Sequence, residues 1–158
     1  MLRANPATVS PLDFTASSVT TRSPDKQSRA LNPGRELRLW FKNPAFAAAW
    51  PAEGLCLPRL PFVIGRLPAT ADDASTRQVD LRLPDAPPFQ LSRVHFCILR
   101  YDDQLAVMDT GSQLGTIVNG VRIGRGRPRN HAFLADGINR LSVGTSATRF
   151  VFELLVKG

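Results

Sequence analysis

Two cysteines in 158 residues are too few for a disulfide framework. Cys56 and Cys97 belong to no C-x-x-C pair, and His95 and His131 have no zinc-ligand spacing. Buried free thiols, no metal and a reducing cytoplasm are the expectation. No apolar run reaches the roughly 20 residues that a membrane helix needs. The first residues are interrupted by Pro6 and Pro11 and lack the apolar core of a secretory signal. Neither export nor membrane attachment is therefore expected. With 11 glycines and 13 prolines the chain falls short of a low-complexity composition, although it can make many turns.

What is present is a hydrophobic fraction of 43% and a formal net charge of +7. The first is enough for one domain with a real core. The second favours anionic partners without separating nucleic acid, acidic lipid and phosphorylated protein. Residues 1–35 hold five basic and two acidic side chains among Pro, Ser and Thr, with no sustained periodicity. They are expected to form a disordered basic arm, and residues 36–158 the folded domain.

Within that domain apolar residues alternate in short runs. Leu37, Leu39 and Phe41 share one face of a first strand, and Phe150, Phe152, Leu154 and Val156 share one face of a last strand. Asn43-Pro44 offers a helix start that Pro51 ends. Further strands are expected at 60–64, 79–83, 95–101, 105–108, 116–118, 121–123 and 141–143. Asn119-Gly120 is the strongest hairpin signal, because both central positions of its turn want positive φ. Many short strands between turn residues indicate an all-β sandwich.

Three segments bear on chemistry. Gly65-Arg66 closes a strand: the glycine permits a tight turn, and the planar guanidinium suits a phosphate. By itself an arginine after a turn is an ordinary surface residue. Ser92 and His95 open the apolar run 95–99. As a catalytic pair they fail, since positions i and i+3 of a strand point to opposite faces and no G-x-S-x-G elbow surrounds the serine. The third segment runs from Asp109 through Gly111-Ser112 and Gly115-Thr116 to Asn119-Gly120.

In this order the three segments resemble the forkhead-associated (FHA) domain, over about residues 60–156. The resemblance implies a β-sandwich of about nine to eleven strands. It implies a non-catalytic module that captures phosphothreonine, which brings nearly two negative charges and three strong acceptors. By the same resemblance Arg66 and Ser92 contact the phosphate, Arg93 adds positive potential, and Gln113 reaches the phosphothreonine from the next loop. Gly65, His95, Gly115, Thr116, Asn119 and Gly120 support these loops. Leu114 departs from the family, whose usual asparagine there bonds the backbone of the bound peptide. A phosphothreonine-containing protein, or the kinase that modifies it, is the implied partner. No cofactor is implied, and the domain is expected to be a monomer.

Three other readings attach to the same residues. A phospho-independent interaction module would use the same loops. The basic loop 124–129 suggests nucleic acid, but it lacks both a Walker lysine and neighbouring aromatic residues for stacking. Asp109-Thr110-Gly111-Ser112 reads like the active-site turn of a dimeric aspartic protease, in which two carboxylates share a proton. The apolar-Gly-Arg element of such enzymes should follow the aspartate, whereas Ile64-Gly65-Arg66 precedes it.

Overall fold

The computed structural model describes residues 29–30, 34–68, 79–145 and 147–158. Two sheets face each other across one core. The six-stranded sheet contains β2 (Glu36–Phe41), β3 (Leu55–Cys56), β9 (Thr116–Val118), β10 (Val121–Ile123), β12 (Gly137–Val143) and β13 (Val151–Lys157). Its spatial order is β10-β9-β12-β13-β2-β3. The five-stranded sheet contains β5 (Phe62–Arg66), β6 (Leu81–Leu83), β7 (Phe96–Tyr101), β8 (Gln104–Asp109) and β11 (His131–Phe133), in the order β11-β8-β7-β5-β6. A small ribbon of β1 (Arg29–Ala30) and β4 (Arg59–Leu60) adds to these. β1 lies inside the segment expected as an arm; the rest of residues 1–33 falls outside the described residues.

The alternation read from the sequence is what fills the core. Leu37, Leu39, Phe152, Leu154 and Leu141 of one sheet face Phe62, Ile64, Phe96, Ile98 and Val107 of the other. Aromatic rings tie the layers together: Phe41 stacks on Phe152 at 5.0 Å between centroids, and Phe152 meets Phe96 edge-on at 5.7 Å.

The differences from expectation have local causes. The helix expected after Asn43 is a single 3-10 turn, Pro44–Phe46, capped by the Asn43 side chain accepting from Ala45 N at 3.0 Å. The strand expected at 60–64 is broken at Pro61, which has no N–H to give a ladder. β12 begins four residues earlier than its apolar pattern suggests, because Asn139, fully buried, occupies an inward position. Asn139 is satisfied there: its Oδ1 accepts from Asn119 Nδ2 and Ala135 N, and its Nδ2 donates to Ala135 O. Asp102 and Asp103 turn the β7–β8 hairpin with positive φ at both positions. Asn119-Gly120 does the same between β9 and β10.

Cys97 is buried as expected, but Cys56 is exposed on the edge strand β3. Burial, and secondarily the charge of Asp109, pushes the Cys97 thiol up to about 11, which leaves it an inert packing group. Among the described residues no helix is long and apolar enough to cross a membrane.

Candidate functional site

The candidate residues gather at one end of the sandwich, where the loop before β7 crosses the end of β5. β5 and β7 pair antiparallel with Ile64 opposite Phe96, and the ladder continues into the loop. His95 N donates to Ile64 O at 3.0 Å, and Arg66 N donates to Ser92 O at 2.9 Å. The crossing is close enough to require glycine at position 65. A Cβ there would stand 2.0 Å from Arg93 O and 2.7 Å from Arg93 C. Gly65 therefore does not serve a turn, as its place in the sequence suggests. It lies within β5 and makes room for the backbone of Arg93.

His95 is fully buried behind this crossing. Its Nδ1 accepts from Ser92 N at 3.0 Å, and its Nε2 lies 2.9 Å from Gly115 O, to which it donates. These two bonds fix the neutral tautomer with the proton on Nε2. Burial lowers the imidazole pKa from its ordinary range; the bond to Gly115 and the charge of Asp109 oppose this less strongly. Below the ordinary histidine pKa of about 6.5 the unfolded chain takes up a proton that the folded chain resists. The contribution of His95 to stability is thus complete above that pH and falls as the pH drops below it. Urea midpoints at pH 7.5 and 5.5 should fall with acid in the wild type and fall less in His95→Asn. Parallel losses in both proteins would remove His95 as the source.

Asp109 organises the neighbouring loop. It is only 4% exposed. Its Oδ1 accepts from Gly111 N at 2.9 Å and Ser112 N at 2.8 Å. Its Oδ2 accepts from Ser112 Oγ at 2.5 Å and Thr116 Oγ1 at 2.7 Å. Ser112 Oγ in turn accepts from Gly115 N at 2.9 Å. Both carboxylate oxygens are thus engaged by the loop itself, and the loop from β10 packs on them through Gly124. The Asp-Thr-Gly-Ser sequence forms an aspartate-centred turn.

This scaffold brings two of the sequence-predicted loops into contact. Gln113 N donates to Ser92 Oγ at 3.0 Å, so the serine uses a lone pair on the loop and keeps its O–H proton to give outward. Arg93 and Gln113 are exposed beside it. Arg66, half-buried, lays its guanidinium over the Phe89 ring, 3.8 Å from the centroid. Arg125 reaches the same rim and donates to Gly111 O at 3.2 Å. Leu114 is 47% exposed. Its side chain lies against Gly144, where an added Cβ would meet Leu114 Cβ at 3.2 Å.

Other predicted residues stand back from the rim. Gly115, at φ +83, turns its carbonyl to both His95 Nε2 and Gly144 N. The side chain of Asn119 accepts from Arg140 N at 2.8 Å, which clips the β9–β10 hairpin to β12. Sequence reasoning missed Phe89 and the hub role of Asp109. The Asp-x-Gly-Ser spacing carried a turn signal for the second, while Phe89 follows two prolines and has no periodic pattern.

Residues 62–137 match the family model of the FHA domain. The chain thus carries an FHA domain, with the three sequence motifs inside the matched span. Solved structures share the fold. Mycobacterium tuberculosis EmbR, in complex with a low-affinity phosphopeptide, is 21% identical with a TM-score of 0.51, over 78% of this chain and 25% of that one. The first FHA domain of Mycobacterium tuberculosis Rv1747 is 17% identical with a TM-score of 0.50, over 79% of this chain and 99% of that one. The FHA domain of an Arabidopsis thaliana hypothetical protein is 24% identical with a TM-score of 0.47, over 77% of this chain and 84% of that one. No curated protein matches the chain.

Proposed function

We propose that the rim formed by Arg66, Ser92, Arg93, Gln113 and Leu114 binds a phosphothreonine-containing segment of a partner protein, without catalysis. The observation that carries this reading is the crossing at Gly65. It sets the backbones of Arg66 and Ser92 one hydrogen bond apart, with the serine hydroxyl bonded to the amide of Gln113. A phosphate at that point would meet a guanidinium fork, a hydroxyl donor and, from Arg93 and Arg125, further positive potential. The FHA-domain match and the phosphopeptide complex of EmbR support the same chemistry.

The reading extends to the rest of the chain. Residues 36–158 form the binding domain and residues 1–35 an arm. The protein acts as a monomer in the cytoplasm, where its partner is a kinase substrate or the kinase. Asp109 serves as the frame of the loop in this reading, since its four accepted bonds leave it committed to its own backbone and hydroxyls. Leu114 offers the partner apolar contact where an asparagine would offer an amide, so capture rests more on the phosphate and less on the peptide backbone.

Arg66→Ala tests the reading. Hydrogen bonds to charged groups contribute roughly 1.5–3 kcal/mol, so affinity for a phosphothreonine peptide library should fall about ten- to a hundredfold by fluorescence anisotropy. The melting temperature should stay at the wild-type value, because Arg66 lies at the rim. Binding that ignores dephosphorylation would instead assign the loops to a phospho-independent module.

A further inference from the structure

We infer that Phe89 is a positioning residue for phosphate recognition: its ring holds the guanidinium of Arg66 in the orientation that a phosphate requires. The inference rests on the phosphothreonine reading of the rim and names a residue outside its motifs. Phe89 is 41% exposed, a large aromatic side chain that the core does not account for. Its ring lies 3.8 Å below the Arg66 guanidinium carbon. Among the described residues no carboxylate pairs with Arg66. The contact is a cation–π stack, favourable by the attraction of the cation to the ring face.

Stacking uses the face of the guanidinium and leaves its in-plane N–H groups for a fork of hydrogen bonds to phosphate oxygens. An unsupported arginine would have to give up much side-chain freedom to make that fork. On a fixed ring part of that ordering is already done.

The ring is fixed because its loop is. Asp85 Oδ1 accepts from Ala86 N at 2.8 Å, and its Oδ2 accepts from Gln90 N at 2.8 Å and Leu91 N at 3.0 Å. Arg149 pairs with the same carboxylate and donates to Ala86 O at 3.3 Å. Gln90 Oε1 accepts from Thr148 Oγ1 and Arg149 N, at 3.2 and 3.1 Å, which ties the loop to the segment before β13. Leu91, 1% exposed, anchors it in the core. Phe89 sits between these fixed points, so the backbone rather than core packing sets its ring.

The test compares Phe89→Leu, Phe89→Trp, Arg66→Ala and the double variant Phe89→Leu with Arg66→Ala. The probe is a fluorescein-labelled degenerate phosphothreonine peptide mixture beside its unphosphorylated counterpart. Phe89→Leu keeps apolar bulk and removes the ring. It should weaken binding of the phosphorylated probe about three- to fivefold, the range that corresponds to an exposed cation–π contact. Phe89→Trp should bind within twofold of wild type. On the Arg66→Ala background Phe89→Leu should change nothing further. A ligand-free readout accompanies these measurements: the Arg66 Hδ resonances should be shifted upfield by the ring in wild type and return to ordinary values in Phe89→Leu. Equal losses from Phe89→Leu with and without Arg66, or no loss at all, would overturn the positioning role while leaving the phosphate site standing. Wild-type affinity in Arg66→Ala would remove the phosphate site, and the inference with it.

Discussion

Gly65→Ala should be among the most damaging single-methyl additions in this chain. The new Cβ would lie 2.0 Å from a backbone oxygen and 2.7 Å from a backbone carbon, both of Arg93. Neither is the movable end of a side chain, so the crossing itself has to open. Overpacking of a fixed site costs roughly 1–3 kcal/mol. Opening also strains the two backbone bonds at 2.9 and 3.0 Å that join Arg66 to Ser92 and His95 to Ile64. At about 0.5–1.5 kcal/mol each, their loss brings the total to about 2–6 kcal/mol. That is a large share of the 5–15 kcal/mol by which domains of this kind are held. Gly111→Ala serves as the control. Its φ is +85, yet nothing lies within 4 Å of the added Cβ, so backbone strain of roughly 1 kcal/mol is all it should cost. Urea unfolding of the two variants should rank them far apart, and phosphopeptide binding should be lost in Gly65→Ala well before the fold is. Equal midpoints for Gly65→Ala and wild type would refute the steric account.

How much of this was legible beforehand depended on whether a residue's role leaves a periodic trace. β2, β9 and β10 lie where the alternation of Leu37, Leu39 and Phe41 and the Asn119-Gly120 turn put them. β11 was not legible, because His131, Ala132 and Phe133 form three residues at a sheet edge with no buried member. The start of β12 was hidden by Asn139, whose burial is made possible by bonds to residues 119 and 135, which no local pattern reveals. At the rim, glycine at 65 was visible but its reason was not. Its constraint comes from the backbone of Arg93, 28 positions away in sequence, and its own φ is ordinary. The stack of Arg66 on Phe89 is likewise long-range, arising from a proline-rich loop that only Asp85 and Gln90 hold in place.

The rim and the frame behind it also separate two kinds of substitution. Leu114 departs from the family pattern, and it does so at an exposed position where the loop's own geometry is unaffected. Gly115 still turns at positive φ, and its carbonyl still meets His95. The departure therefore changes what the rim offers a partner without changing how the rim is built.

Removing Asp109 should do the opposite. Its carboxylate accepts four hydrogen bonds, at 2.9, 2.8, 2.5 and 2.7 Å, at a site only 4% exposed. Asp109→Ala would strand two backbone N–H groups and two hydroxyls where water has little access. Leaving a buried, charge-assisted network without its acceptor costs about 3–5 kcal/mol. The hydroxyl of Ser112 would also lose its orientation toward Gly115 N, the residue whose carbonyl holds His95. The damage should thus pass from the β8–β9 loop to the Ser92 loop, and affinity for phosphothreonine peptides should fall together with stability. Asp109→Asn is the discriminating companion. An amide oxygen can still accept from Gly111 N and Ser112 N, and the hydroxyls of Ser112 and Thr116 can rotate to accept from the new N–H groups. The asparagine variant should therefore keep most of the stability and a good part of the binding. An aspartic protease would show the reverse pattern, since an asparagine that preserved the loop would abolish cleavage entirely. Urea midpoints and anisotropy on both variants, beside an acid-pH peptide cleavage assay on the wild type, decide between the two roles. Wild-type stability in Asp109→Ala, or wild-type cleavage that Asp109→Asn eliminates, would overturn the reading of Asp109 as the frame of the loop.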